Sequence, residues 1–157
     1  MFKFQLNRFL KTSFEFSLVI LQFFIIILHF IQLEFLPKKE IMQVNFIFSL
    51  LGFLLIIISS IVMLIAIKDL GSNLSPFPKP IVNGNLITSG IYRFIRHPMY
   101  YSLILISFGF FLTKLSFYHL CLTISLALII KFKIFLEEKY LNKKFKNYFL
   151  YTDKVKY

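Results

Sequence analysis

The longest uncharged stretch of the chain, residues 41–67, most constrains the fold. It holds 27 residues without Asp, Glu, Lys or Arg, and a helix of that length is about 40 Å long, more than the ~30 Å hydrocarbon core of a bilayer. Residues 16–33 are also uncharged. Hydrophobic residues make up 58% of the 157 positions, more than the interior of so small a chain can bury. The sequence therefore predicts an integral membrane protein.

Two shorter uncharged runs, 99–113 and 115–130, follow in the second half and are separated by Lys114. Because they are adjacent and short, we expect them to form a tight helical hairpin. The sequence predicts a single all-α membrane domain over 1–157 with about four transmembrane helices. The predicted spans are 14–36, 42–67, 98–113 and 115–136.

Residues 69–90 between the second and third spans have a different composition. Pro76, Pro78 and Pro80 alternate along this segment and favour an extended path without a helix. The pair Asn83-Gly84 predicts a turn. Loops of this length inside compact domains are functional or disordered, and the apolar side chains in this one argue against disorder. We expect a structured, Pro-rich cytoplasmic loop.

The carboxyl-terminal segment, 131–157, is strongly charged. Apolar residues recur in it at roughly helical spacing, with lysines between them: Ile134, Leu141, Phe145 and Tyr148. That pattern predicts an amphipathic helix lying at the membrane interface.

The distribution of basic residues predicts the topology. With four spans, only Lys38, Lys39 and Lys114 of the 18 Lys and Arg residues fall on one side of the membrane. By the positive-inside rule, both termini and the 69–98 loop are expected to be cytoplasmic. Because the formal charge of +11 is spread over the gaps between apolar runs, it favours membrane topology and anionic headgroups over nucleic acid.

Charged residues cluster at the start of the third span and at the end of the fourth. Arg96 and His97 precede Pro98, a residue suited to the first helical position, and the helix amino terminus with Arg93 nearby can bind an anion. Glu137 and Glu138 would meet this cluster if the hairpin is closed. Such a pocket suits a zwitterionic cofactor. The simpler alternatives are arginines that anchor a helix at the headgroups and glutamates that pair with neighbouring lysines.

Other motifs are weak or missing. The sequence has no Cys/His spacing typical of a metal site and no glycine-rich nucleotide motif on a strand–helix pattern. We predict no metal. His29 is expected to be a polar contact between helices, and His119 is expected either to be another or to lie near the far surface.

Residues 84–100 and the later glutamate pair resemble the isoprenylcysteine carboxyl methyltransferase family. The resemblance rests on Gly84-Asn-Leu-Ile-Thr-Ser-Gly-Ile-Tyr92, on Arg93-x-x-Arg-His-Pro-x-Tyr100, on Glu137-Glu138 and on a closing Tyr148-x-x-Tyr151. The related membrane phospholipid methyltransferases share this general plan. The resemblance covers 68–157, which we take as the catalytic part.

This resemblance implies a methyltransferase that uses S-adenosylmethionine on a lipid-embedded or prenyl-like acceptor. Lys133 stands where some members contact substrate, although a lysine lacks the bidentate fork of arginine. The residues implied to act in the reaction are Arg93, Arg96, His97 and Glu138. Those implied to hold the cofactor are Asn85, Leu86, Ile87, Gly90, Tyr92, His97, Tyr100 and Glu137.

Three alternatives stay open at the level of sequence. A phospholipid N-methyltransferase would use the same cofactor on an amine headgroup. Membrane sterol reductases carry a similar Arg-His-Pro-x-Tyr element and bind a phosphorylated nicotinamide cofactor. A non-enzymatic scaffold would explain the lysines, but not the histidine, prolines and glutamates that are expected at one pocket.

Overall fold

The computed structural model describes residues 2–31 and 46–156, with side chains described from residue 13 onward in the first helix. These residues form five α-helices and two 3₁₀ turns, and the described part of the chain contains no β-strand. The all-α prediction is therefore confirmed. The helices are α1 (Phe2–Leu28), α2 (Phe46–Leu70), α3 (Pro98–Lys114), α4 (Phe117–Lys144) and α5 (Tyr148–Lys154), and the 3₁₀ turns are Gly71–Asn73 and Gly90–Arg93.

Two of the described helical stretches are long and apolar enough to cross a membrane, Phe46–Asn73 and Phe117–Lys144. A shorter apolar stretch covers Ser13–Leu28, and α3 forms over the predicted third span. The predicted span ends at 32–36 and 42–45 lie outside the described residues. Four crossings therefore stay a prediction.

The long helices pack in the order α2, α3, α4, α1, each mainly against the next. The α2–α3 contact is close because glycines face each other there. A Cβ added at Gly52 would lie 2.7 Å from the carbonyl oxygen of Gly109, and one at Gly109 would lie 2.9 Å from that of Gly52. Small residues of this kind let helix backbones approach each other closely in a membrane.

A tight turn joins α3 to α4, as predicted for the hairpin. Leu115 adopts a left-handed conformation, with φ of 44°, and its N–H bonds to the carbonyl of Phe111 at 2.7 Å. Such a residue ends a helix and reverses the chain. The start of α3 is thereby brought beside the last turns of α4.

Buried apolar side chains between α1 and α4 form the main core: Leu18, Ile25, Leu122, Leu126, Ile129 and Ile130. Leu103 and Ile104 of α3 pack against this core. Most of the other described side chains on α1 and α2 are exposed on the outside of the bundle, which is the arrangement expected of helices that face lipid.

A buried polar cluster joins three helices at the hairpin-turn end of the bundle. The ring of His29, which directly follows α1, bonds through Nε2 to the hydroxyl of Ser107 on α3 at 2.8 Å. Ser107 in turn lies 2.9 Å from the hydroxyl of Thr123 on α4, and the ring of His119 contacts the His29 ring edge-on. His29 is thus a polar contact between helices, as predicted, and His119 is buried beside it.

The predicted amphipathic helix over 131–157 is wrong in its bounds. Residues 131–144 continue α4 without a break, because Lys133 and Tyr140 bond to side chains of α1 and keep this segment in the bundle. The chain then turns at 145–147, and the short α5 follows. Tyr148, Tyr151 and Val155 pack with Leu86 of the loop, so α5 covers the loop.

Candidate functional site

An ion-pair cluster lies where α3 begins beside α4. The Nε2 atom of His97 is 2.7 Å from an oxygen of Glu138, and a terminal nitrogen of Arg96 is 3.1 Å from the same oxygen. Arg96 also donates a 2.9 Å hydrogen bond to the carbonyl of Lys156. His97 is buried and precedes Pro98, the first residue of α3. The predicted closure of the hairpin is thus confirmed by direct contact between its two ends.

A cavity, partly open to solvent, lies beside this cluster. The Pro-rich loop forms one wall, and the end of α4 with α5 forms the other. The residues that line the cavity include Asn85, Leu86, Ile87, Tyr92, Arg96, Glu137, Lys144, Tyr148 and Tyr151.

The loop is fixed against the cavity by side chains from both directions. Lys144 at the end of α4 donates to the carbonyls of Ile81 and Gly84, the latter at 2.8 Å. The side-chain oxygen of Asn73 accepts the Asn85 N–H at 2.9 Å. These bonds satisfy backbone groups that an irregular segment leaves unpaired, and they position the wall formed by residues 85–87.

Gly90 makes the sharp turn that leads into Tyr92. Its φ is +59°, and a Cβ at this position would overlap the carboxylate of Asp69. That carboxylate accepts the N–H of Ile91 at 2.7 Å. Glycine is required here both for the left-handed backbone and for the close approach of Asp69.

Tyr92 is held by the bundle and by α5. Its hydroxyl donates to the carbonyl of Ala66 at 3.4 Å, and its own carbonyl accepts a 2.6 Å hydrogen bond from Tyr151. Burial raises the pKa of Tyr92, and Glu137 raises it further. Burial also raises the pKa of Tyr148, with a further contribution from Glu138, and it raises the pKa of Tyr151 to about 12. All three phenols therefore stay neutral near pH 7.

The two glutamates have different surroundings. Glu138 bonds directly to Arg96 and His97, whereas Glu137 lines the cavity. Glu138 meets the basic cluster, as expected for a closed hairpin. Its bonds to His97 and Arg96 leave the cavity on the side of Glu137.

Most residues implied by the sequence gather at the cavity. Asn85, Leu86, Ile87, Tyr92, Arg96 and Glu137 line it. Tyr100 stacks on His97 with ring centres 5.8 Å apart, just behind the lining. Arg93 does not line the cavity. Its side chain is exposed, and its guanidinium carbon lies 6.0 Å from the ring centre of Phe94. Lys133 is buried, and its ammonium is bonded to Gln22 and Pro76.

Sequence reasoning did not assign Asp69, Asn73 or Lys144, although each of them shapes the loop. Asp69 and Asn73 follow the second span, where charged and turn-forming residues are ordinary. Lys144 is one of many lysines near the carboxyl terminus. The spacing of Tyr148 and Tyr151 was the one available signal that the last helix belongs to the site.

The charges around the cavity fit a ligand that carries both signs. Arg96 and Lys144 supply positive charge, while Glu137 supplies a carboxylate. The Nε atom of Arg96 is buried and has no hydrogen-bond partner among the described residues. A buried donor of this kind calls for an acceptor, such as a carboxylate of a bound molecule. Leu86 and Ile87 offer apolar surface to the rest of that molecule.

Comparison with known families gives one match. The family described as phospholipid methyltransferase matches residues 47–148, about two thirds of the chain, and this range runs from α2 to the start of α5. Searches of curated proteins and of solved structures give no significant match. The chain belongs to the phospholipid methyltransferase family, which includes membrane methyltransferases similar to the isoprenylcysteine enzymes.

Proposed function

We propose that this membrane methyltransferase uses S-adenosylmethionine and binds it in the cavity between the Pro-rich loop and the end of α4. The observation that carries the proposal is the convergence of Asn85, Leu86, Ile87, Tyr92 and Glu137 on one cavity. The resemblance implies these residues for the cofactor, and they lie up to 52 positions apart in the sequence.

The residues present fit this cofactor. Its amino acid part carries a carboxylate and an ammonium group, which match Arg96 on one side and Glu137 on the other. The unpaired Nε of Arg96 provides a donor for that carboxylate. The apolar side chains of Leu86 and Ile87 face the same space and exclude water from it.

The chain contributes mainly binding and orientation. When bound, S-adenosylmethionine supplies an electrophilic methyl group on a sulfonium centre. Tyr92 and Tyr148 line the cavity, and an aromatic ring attracts a nearby cation. Glu138 holds Arg96 in place through a hydrogen bond and an ion pair, and His97 in turn bonds to Glu138. Positioning of this kind is a major part of the catalysis of a displacement reaction.

The acceptor in this proposal is lipid-embedded or prenyl-like, as in the protein-S-isoprenylcysteine O-methyltransferases that the sequence resembles. An ionised carboxylate acceptor needs no general base. A phospholipid amine is the second candidate, and the description of the matched family favours it. An amine must lose a proton to become nucleophilic. A phospholipid amine would therefore need a base in the site, whereas an ionised carboxylate would not.

We also propose a multi-pass arrangement with four spans in which both termini and the cavity face the cytoplasm. The supporting observations are the apolar helices and the concentration of lysine and arginine on the side of the cavity. In this arrangement the cofactor enters from water and the acceptor from the bilayer.

The cofactor assignment is tested by titrating purified protein in detergent with S-adenosylmethionine. His97→Ala and Glu137→Ala should each weaken binding by about tenfold or more, because a hydrogen bond to a charged group contributes about 1.5–3 kcal/mol. Lys139→Ala is the matched control, since Lys139 is exposed on the same helix and should leave the affinity unchanged. Parent-like affinity in both site variants would overturn the site assignment.

Two further measurements separate the alternatives. Tighter binding of reduced nicotinamide dinucleotide phosphate than of S-adenosylmethionine would favour a reductase, and binding of neither would favour a scaffold. Methyl transfer from radiolabelled cofactor to a farnesylcysteine analogue supports the first acceptor. Transfer to phosphatidylethanolamine in vesicles supports the second.

A further inference from the structure

Lys133 is a fully buried lysine in the apolar part of α4. Its side chain is 1% exposed. The Nζ atom donates to the side-chain oxygen of Gln22 at 2.5 Å and to the carbonyl of Pro76 at 3.0 Å, and it lies 5.3 Å from the ring centre of Tyr100. A buried ammonium group is costly unless such partners satisfy it. The contacts are therefore a specific arrangement.

The partners of Lys133 come from three separate parts of the chain. Gln22 belongs to α1, Pro76 to the Pro-rich loop and Tyr100 to α3. The residues on either side of Pro76, Ser75 and Phe77, line the cavity. The ammonium of Lys133 thus ties the wall of the cavity to the first helix.

A second contact links the same two elements. The ring of Phe16 on α1 stacks on the ring of Phe77 in the loop, with centres 6.2 Å apart and planes 15° apart. Both rings are otherwise largely exposed. The stack and the lysine contacts are independent of each other, and both join α1 to residues 76–77.

Polar side chains seven residues apart set the position of α1 along the bundle. Glu15 accepts a hydrogen bond from Tyr140, Gln22 accepts one from Lys133, and His29 pairs with Ser107. Seven residues are close to two helical turns, so the three side chains share one face. Interhelical hydrogen bonds stabilise helix association in membranes, and this ladder places Gln22 opposite Lys133.

Helix α1 lies outside the part of the chain that matches the family, which begins at residue 47. We propose that α1 is a positioning element of this site. Through Gln22, Lys133 and Pro76, and through the Phe16–Phe77 stack, it holds the Pro-rich loop closed over the cavity. Lys133 is then a positioning residue and not a substrate contact. The ligand in this inference rests on the proposed function, whereas the closure of the loop does not.

The closure is tested by hydrogen exchange of residues 74–88 in the full-length protein in detergent. Gln22→Met and Lys133→Met should each raise exchange in this segment by about tenfold, because each removes a bond that opposes local opening. Gln22→Glu keeps an acceptor oxygen and should restore the parent rate. The matched controls, Leu21→Met and Lys131→Met, change exposed neighbours on the same helices and should have no effect.

The same variants are then titrated with S-adenosylmethionine. The dissociation constant should rise about tenfold in Gln22→Met and in Lys133→Met, and the double variant should be no worse than Lys133→Met alone, because that substitution already removes the bond to Gln22. Phe16→Leu, which leaves the buried lysine intact, should raise both exchange and the dissociation constant to a smaller extent. This variant keeps the test decisive if Lys133→Met unfolds.

Two results would overturn the inference. Exchange at 74–88 that is unchanged in Gln22→Met and Phe16→Leu would show that α1 does not hold the loop. A Lys133→Met enzyme with a higher KM for the acceptor, but parent-like exchange and cofactor affinity, would make Lys133 a substrate contact. If the parent protein binds no S-adenosylmethionine, the proposed function fails, and the exchange measurements still decide whether α1 closes the loop.

Discussion

At the scale of single residues, neighbours in the sequence have different surroundings at this site. Glu137 faces the cavity, while Glu138 is bonded to His97 and Arg96. Arg93 is exposed, although it lies one turn from Arg96. The cluster could be predicted from residue type, because charges beside apolar runs are costly. Which member faces the ligand depends on the rotation of each residue about its helix, which residue type does not encode.

The turn at Gly90 provides a prediction at this scale. Gly90→Ala should lower the free energy of unfolding more than Gly71→Ala does. Both glycines have positive φ, but a Cβ at Gly90 meets Asp69, whereas one at Gly71 meets nothing within 4 Å. We expect a loss of about 1 kcal/mol for Gly71→Ala and at least about 1 kcal/mol more for Gly90→Ala. Thermal unfolding in detergent measures both, and equal losses would mean that Asp69 moves aside freely.

At the scale of elements, the uncharged runs predicted where the helices lie, but they did not predict which helices contact each other. The hairpin of α3 and α4 was predictable, because two short runs separated by one lysine leave no room for another connection. The continuation of α4 through 131–144 was not. Lysines between apolar residues indicated an interfacial helix, but Lys133 and Tyr140 find partners on α1. Hydrogen bonds to another helix thus keep this segment in the bundle, although its sequence pattern is amphipathic.

The α2–α3 contact gives a prediction for the elements. Gly52→Ala should separate the two helices, because the added methyl group would lie 2.7 Å from the carbonyl of Gly109. We expect a destabilisation of about 1–3 kcal/mol, the usual effect of overpacking, measured by thermal unfolding. Leu51→Ala is the control, since Leu51 is 50% exposed. A Gly52→Ala protein as stable as this control would show that the two helices can move apart at little cost in free energy.

At the scale of the whole molecule, one side of the bundle carries the cavity and the other carries the hairpin turn. The Pro-rich loop, Glu137 and α5 gather at the first end, while Lys114 and Leu115 lie at the second. The lysine-rich segments are on the side of the cavity. The two ends of the molecule therefore differ in charge, and this difference is what orients helices in a membrane.

The proposed topology can be checked by labelling single cysteines in sealed vesicles of known orientation. In a Cys121→Ser background, a membrane-impermeant maleimide added outside right-side-out vesicles should label Lys114→Cys and not Asn147→Cys. Both positions are exposed, so that access depends on the membrane. Inverted vesicles should give the opposite result. Labelling of both positions from one side would mean that α4 does not cross the membrane and would contradict the proposed topology.

The sequence by itself determined that this chain is helical and that its apolar surface suits a bilayer. It also indicated that charged residues would meet at the open end of a helical hairpin. These conclusions follow from local properties: uncharged length, the absence of backbone partners in a bilayer, and the motif around Arg96 and His97. The same motif indicated the family.

Only the tertiary structure decided how the cavity is enclosed. The loop wall depends on Asp69, Asn73 and Lys144, and the contact from α1 depends on Gln22 meeting Lys133 across 111 positions of sequence. The physical reason is that these interactions are set by the rotation and the relative height of packed helices. Those quantities result from all contacts together and from no single stretch of sequence.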